Sequence, residues 1–320
     1  MSQESYEKTV PEHLSGQRLD QALAQMFPEY SRSRLKSWLL QGHVTVDDRQ
    51  PRPRDPVSGG ETVVLTPQAE QELESIPEPL DLDVVHEDDA CLVIDKPAGL
   101  VVHPGAGNPR GTLMNGLLHR NPELAAIPRA GIIHRIDKDT SGLLLVARTL
   151  ASHTTLVRAL AERGIRRSYL AICTGVLTGG GTVDAPIARH PKDRLKMAVV
   201  DAGKPAVTHY RVIERFAAHT YIRVELETGR THQVRVHFAH LRHPLVGDPV
   251  YGGRLAIPKG ADDVLRQALA GFRRQALHAE RLVFAHPDTG LPIDVTAPPP
   301  ADFTDLLAAL GHRAAAGPRQ

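Results

Sequence analysis

Apolar positions near the start of the chain recur first with helical and then with strand spacing. Leu19, Ala22, Leu23 and Met26 fall on one face of a helix that Pro28 ends. Ser31 is placed to cap a second helix with Leu35, Trp38, Leu39 and Leu40 inside and Arg32, Arg34 and Lys36 on or near its exposed start; Gly42 closes it. Alternation in His43-Val44-Thr45-Val46 and the apolar run Thr62-Val63-Val64-Leu65 predict short strands that complete a module over residues 16–65. Residues 1–15 read as a flexible N-terminus.

Residues 66–80, rich in Glu, Pro and Gln, show neither period and read as an exposed linker, so the first domain with the start of this linker is taken as residues 16–75. Beyond it, Cys91–Asp95, Gly142–Arg148, Tyr169–Thr174, Ala206–Phe216 and Thr220–Thr228 predict strands of a mixed sheet. Helices are expected near Thr112–Arg120 and at Leu150–Arg163, the latter with Leu156, Val157, Leu160 and Ala161 inward and Gly164 as its stop. Strands and helices do not alternate regularly enough for a doubly wound parallel sheet, which makes the fold class α+β. The larger domain is taken as residues 76–300, and residues 301–320 as a tail, part helix and part disordered.

A chain of 320 residues is long enough for two domains, and 41% hydrophobic with 23% charged residues is an ordinary globular composition. No apolar run approaches the roughly 18 residues of a membrane-spanning helix, and the N-terminus lacks the regions of a signal peptide. A cytoplasmic protein without a membrane partner is expected. Cys91 and Cys173 each sit in an apolar, strand-like stretch and read as buried free thiols. The net charge of +1 conceals a strong separation: residues 61–95 hold eleven acids and no Lys or Arg, whereas residues 130–245 hold eighteen Lys and Arg against nine Asp and Glu. The basic stretch suits a polyanion, although charge alone would fit a solvated surface equally well.

The stretch His134-Arg135-Ile136-Asp137-Lys138-Asp139-Thr140-Ser141-Gly142 gathers polar groups directly before an apolar strand, where a loop projects them from a rigid edge. On composition it is either a site or a turn in which Asp139 and Ser141 bond the backbone. Its first four residues resemble the HRLD signature of the RluA-type RNA pseudouridine synthases, followed by that family's Lys-Asp-Thr-Ser-Gly; Ile136 for Leu is a volume-conserving departure. Asp95-Lys96-Pro97-Ala98-Gly99 through Val102-His103-Pro104, Arg167-Ser168-Tyr169, and Gly229-Arg230-Thr231-His232-Gln233-Val234-Arg235-Val236-His237 resemble further elements of the family, in the family's order. The N-terminal module resembles the S4 RNA-binding domain.

The resemblance implies a catalytic domain with a mixed, mainly antiparallel sheet. It also implies Asp137 as the nucleophilic aspartate, Tyr169 against the target base, and Arg235 pairing with the aspartate. Arg32, Arg34 and Lys36 of the module, with His134, Arg135, Lys138, Arg230 and His232 of the body, are expected to bind RNA. The substrate it implies is a uridine of 23S ribosomal RNA, free or within the large subunit or its precursor, acted on by a monomer. Isomerising uridine breaks N1–C1′ and joins C5 to C1′ with no oxidation, reduction or hydrolysis, so no cofactor is expected, and neither a GxGxxG turn nor a GxxxxGK[ST] loop is present. A carboxylate can assist by attack at C1′, addition at C6 or removal of a C2′ proton, and the sequence leaves these open. Each needs an ionised Asp137, yet burial under a base would lift its pKa above about 3.9. A nearby arginine offsets that without adding a competing acid. His232, His237, His240 and His243 crowd together but lack HExxH or paired CxxC spacing; beside Arg230, Arg235 and Arg242 they read as a phosphate-facing surface, and no metal is expected.

Overall fold

In the computed structural model the helical spacing of Leu19, Ala22, Leu23 and Met26 buries all four on the inner face of α1 (Leu19–Met26). The structure describes residues 5–28, 30, 32–67, 76–105, 107–193, 196–255 and 257–311, without the side chains of Ser33 and Arg34. The cap assigned to Ser31 therefore lies outside the described residues. Helix α2 (Arg32–Leu40) buries Leu35, Trp38 and Leu39, but Leu40 is exposed, because one further residue turns it about 100° away from Leu39. Strands β1 (Tyr6–Thr9), β2 (Val44–Val46) and β3 (Thr62–Leu65) form an antiparallel sheet in the order β1-β3-β2. The edge strand β1 corrects the expectation of a flexible start. It pairs from Tyr6 opposite Leu65 to Thr9 opposite Thr62, while all four of its side chains are exposed. Backbone hydrogen bonds hold it, so no apolar period marks it.

The chain forms two compact units, this one within Met1–Glu74 and a second within Ser75–Gln320. The second unit contains β4 (Asp83–Glu87), β5 (Cys91–Lys96), β6 (Ser141–Ala147), β7 (Arg166–Thr174), β8 (Gly181–Asp184), β9 (Ile187–Arg189) and β10 (Met197–Val199). Four more strands follow: β11 (Val207–Arg215), β12 (His219–Leu226), β13 (Leu277–Ala285) and β14 (Pro292–Thr296). Nine of them make one sheet in the order β4-β5-β6-β13-β7-β12-β11-β8, with β14 also paired to β13; β9 and β10 form a separate ribbon. Only the β6–β13 pair of that sheet is parallel, so the architecture is α+β with a mixed, mainly antiparallel sheet. Every residue of β6 is buried, which is why it reads as an uninterrupted apolar run.

Helices α3 (Leu113–Arg120), α4 (Leu150–Ala161), α5 (Gln233–His240), α6 (Asp263–Gly271) and α7 (Ala301–Gly311) complete the unit. In α4 Leu156 is buried, but Val157 is exposed. Its chain reversal falls on Arg163, with φ 62°, rather than on Gly164. The tail expected from residue 301 begins as a core helix: Phe303, Leu306 and Leu310 pack with Leu170, Ile172 and Phe272. Residues 312–320 lie outside the described residues. Cys91 and Cys173 are buried free thiols, burial being the main reason both are pushed up to about 12. Among the described residues no helix is long and apolar enough to cross a membrane.

Candidate active site

The loop between His134 and Thr140 leads into β6 and is fastened from below. Lys96, at the end of β5 and fully buried, donates from Nζ to the carbonyls of Pro97, Leu100 and Lys138 at 2.8, 2.9 and 2.9 Å. Burial brings its pKa down to about 8. Gln275 Nε2 donates to Thr140 Oγ1 at 2.9 Å, and Arg274, itself held by Asp302, reaches the Asp139 carbonyl at 3.4 Å. Where the loop becomes β6, Gly142 has φ 109° and lies so close to β13 that a Cβ there would meet the Ala279 oxygen at 2.3 Å. Any side chain would disrupt the one parallel pairing in the sheet.

Arg235 approaches the loop from the first turn of α5. Its Nη1 donates to Asp137 Oδ2 at 2.9 Å, and Nε and Nη2 grip both oxygens of Asp248 at 2.7 and 2.9 Å. The Asp248 side chain has 0% exposure and also accepts the backbone N–H groups of Val250 and Tyr251. Burial works against the charge of both partners, yet their mutual bonds prevail: Asp248 is held below the usual carboxylate range and Arg235 above the usual arginine value. The guanidinium carbon also lies 5.1 Å from the centre of the Tyr251 ring. The Tyr251 hydroxyl accepts the Met197 N–H at 2.9 Å and shares a hydrogen bond with His232 Nδ1 at 2.8 Å. The other ring nitrogen of His232, Nε2, lies 3.9 Å from Asp137 Oδ1. Burial keeps His232 below its ordinary pKa despite the neighbouring Asp137.

Asp137, Tyr169, Arg235 and His232 line one cleft of about 970 Å³, together with Arg135, Lys138 and Arg230. Its walls carry six arginines and one lysine against three acids, a potential suited to a polyanion. Arg135 and Lys138 are exposed, and Arg135 reaches Thr231 Oγ1 at 3.3 Å. Arg230 is also exposed and donates to the Pro205 carbonyl at 3.1 Å. Tyr169 is 5% exposed, and burial raises its phenol above the ordinary value.

His134, expected on the RNA surface, is instead buried: Leu145 N–H donates to its Nε2 at 3.3 Å. Burial, helped by the charge of Arg167, pushes its pKa down to about 3, so it is neutral and supports the loop from inside. The phosphate-facing reading of the histidine cluster is likewise corrected at His237, which is fully buried and bonds Thr208 Oγ1 and the Ala185 carbonyl at 2.8 and 2.9 Å. In the first unit Lys36 is exposed and Arg32 lies 3.3 Å from Asp20; the Arg34 side chain is outside the described residues. Sequence reasoning missed the roles of Asp248, Tyr251 and Lys96. Asp248 lies thirteen residues beyond Arg235, and no period links the two.

Residues 90–240 match the family model described as RNA pseudouridylate synthase, and residues 17–63 match the S4 domain. "Ribosomal large subunit pseudouridine synthase D" of Xanthomonas campestris pv. campestris is 58% identical over 301 residues, covering 94% of this chain and 91% of that protein. The protein of the same name from Pseudomonas aeruginosa is 57% identical, with 94% of each chain covered. The chain belongs to the RNA pseudouridylate synthase family.

As an RNA pseudouridine synthase it is an isomerase with an S4 domain ahead of the synthase domain. Its fold is similar to that of the solved "Human RNA Pseudouridylate Synthase Domain Containing 4", with TM-score 0.57 and 25% identity over 72% of this chain and 93% of that one. The synthase match runs from the β4–β5 turn to the end of α5 and so contains Asp137, Tyr169 and Arg235. It stops short of Asp248, whose carboxylate completes the ion-pair chain.

Proposed function

We propose that this synthase converts uridines of 23S ribosomal RNA to pseudouridine, with Asp137 as the nucleophilic carboxylate acting on a nucleotide flipped into the cleft. The observation that carries the reading is the buried chain Asp248–Arg235–Asp137: a fixed cation keeps one carboxylate ionised inside a basic cleft. The bacterial relatives are named for the large ribosomal subunit, which points to its RNA as the substrate.

Arg235 occupies Oδ2 of Asp137, leaving Oδ1 without a hydrogen bond among the described residues and free to bond the nucleotide. The N1–C1′ bond breaks, the uracil turns within the cleft, C5 joins C1′, and the hydrogen of C5 leaves while N1 takes one up. The reaction is neutral in electrons and needs no redox partner. Tyr169 supplies a flat wall for the extruded base. Arg135, Lys138, Arg230 and His232 hold the strand at the rim, where phosphate contacts offset the few kcal/mol that flipping costs. Arg32, Arg34 and Lys36 of the S4 domain add affinity for the same RNA. A monomer in the cytoplasm is sufficient for this chemistry.

The test is nucleoside analysis of large-subunit rRNA, transcribed without modifications and incubated with the enzyme. Pseudouridine at discrete positions with no loss of base is expected. Free uracil would mark a glycosylase, and unchanged nucleosides would leave an RNA-binding protein.

A further inference from the structure

Among the described residues of the synthase domain three arginines are buried: Arg167, Arg235 and Arg274, with exposures of 8, 4 and 9%. Two of them are gripped at two points by a carboxylate, Arg235 by Asp248 and Arg274 by Asp302. Arg167 is the exception. Among the described residues no acceptor meets its guanidinium, and its buried Nε has no hydrogen-bond partner. An N–H cut off from water with nothing to bond weakens the free protein, and a buried unsatisfied group on a charged side chain commonly signals a partner that arrives later.

The guanidinium is directed to the cleft. Arg167 and Tyr169 point to the same face of β7, two residues apart, and both line the cleft. The tip rests against Gly229, where a Cβ would come within 2.8 Å of Nη1. The φ of Gly229 is not positive, so this glycine provides space rather than an unusual backbone conformation. His134, near enough to feel the charge of Arg167, holds a second unpartnered group in the same wall. Because its Nε2 accepts from Leu145, its buried Nδ1 carries the proton and is a donor. The cleft thus presents a charged donor and a neutral donor with nothing to bind. Asp137 is not the partner in this structure, since its hydrogen-bonded cation is Arg235 and it makes no ion pair with Arg167. Uracil is neutral, and the anion that an RNA strand brings is its phosphodiester.

We propose that Arg167, assisted by His134, is the subsite for the phosphodiester flanking the target uridine. This rests on the reading of the cleft as the site of uridine isomerisation. The assignment returns His134 to RNA binding as a buried donor rather than as a surface charge.

The experiment measures equilibrium binding of a large-subunit rRNA transcript at several salt concentrations, with thermal unfolding of the free enzymes, for wild type, Arg167→Met and Gly229→Ala. Arg167→Met should weaken binding roughly tenfold and flatten the log–log salt dependence by about one phosphate contact. Its Tm should equal or exceed that of wild type, because an unpaired buried charge has gone. Gly229→Ala keeps the charge but crowds its tip, and should weaken binding without a comparable fall in Tm, which preserves the test if Arg167→Met folds poorly. A lower Tm with an unchanged salt slope would make Arg167 structural; weaker binding with an unchanged slope would make it a contact to a neutral group. Either result overturns the proposal. Tritium release from 5-tritiated uridine is followed in parallel with wild type. Release with no effect of either variant on binding sinks only this subsite, whereas RNA binding and a flattened slope without release sink only the isomerisation reading. Wild type that binds no RNA sinks both.

Discussion

An arginine that holds a carboxylate in place must itself be held, and at Arg235 that task falls to Asp248, whose side chain has 0% exposure. The Arg235–Asp137 attraction amounts to roughly 4 kcal/mol at 4 Å and an effective dielectric near 20, before desolvation is set against it. Asp248→Asn preserves shape but removes the charge, so a buried cation is left with one partner. Destabilisation of about 3–5 kcal/mol is expected, as for other broken buried pairs, and denaturant unfolding measures it. The single-turnover rate at saturating enzyme should fall on the order of 10²-fold as Asp137 loses its fixed position. Stability equal to wild type would show that Asp248 is not the anchor. That Asp137, Tyr169 and Arg235 share one cleft was legible because a run of family-like motifs in fixed order holds them. Asp248 was not, because its partnership is made in three dimensions across the turn after α5. The burial of His134 was hidden for a related reason: a polar residue in a site loop looks exposed until packing turns it inward.

At the scale of elements, the hairpin that carries Lys96 also sets two acids against each other, since Asp83 of β4 pairs across from Asp95 of β5. Burial first, and then the charge of Asp83, pushes Asp95 up to about 6 from an ordinary 3.8. A folded pKa above the unfolded one means that the contribution to stability is fully present below about 3.8 and is lost as pH rises through about 6. Asp95→Asn should therefore have a higher Tm than wild type at pH 7.5, with the gap closing by about pH 4. A gap that stayed constant with pH would show that ionisation of Asp95 carries no cost. The elements the sequence displayed were those with an unbroken period, such as β6 and α1. Strand β13 was hidden because its register shifts between Ala279 and Arg281, which breaks the alternation. Helix α5 was hidden because it buries Gln233, Arg235 and His237 beside Val234 and Phe238, leaving no polar face to give a helical period.

For the whole molecule, a net charge of +1 is compatible with an RNA partner because the cations are concentrated where the strand is expected to lie. The S4 domain and the synthase domain each have their own core, so charge on the first can be altered without touching the second. Lys36 is exposed on α2. Lys36→Glu should raise the enzyme concentration needed for half-saturation with rRNA several-fold and flatten its dependence on salt, while the saturating rate stays at the wild-type value. A fall in saturating rate with unchanged affinity would remove the S4 domain from RNA binding. The two-domain order was legible from the acidic, aperiodic linker between two patterned stretches, and part of α7 from the helix expected in the tail; β1 was not, because it shows only exposed side chains, and neither was the packing of α7 into the core, because it follows a proline run that reads as a terminus.

If the carboxylate of Asp137 drives formation of the C5–C1′ bond, the hydrogen of C5 must be expelled as that bond forms. Tritium release from large-subunit rRNA carrying 5-tritiated uridine, compared between wild type and Asp137→Asn, tests it most directly. Wild type should release tritium and free no uracil, and Asp137→Asn should bind the RNA but release none. Release by Asp137→Asn at the wild-type rate would contradict the account.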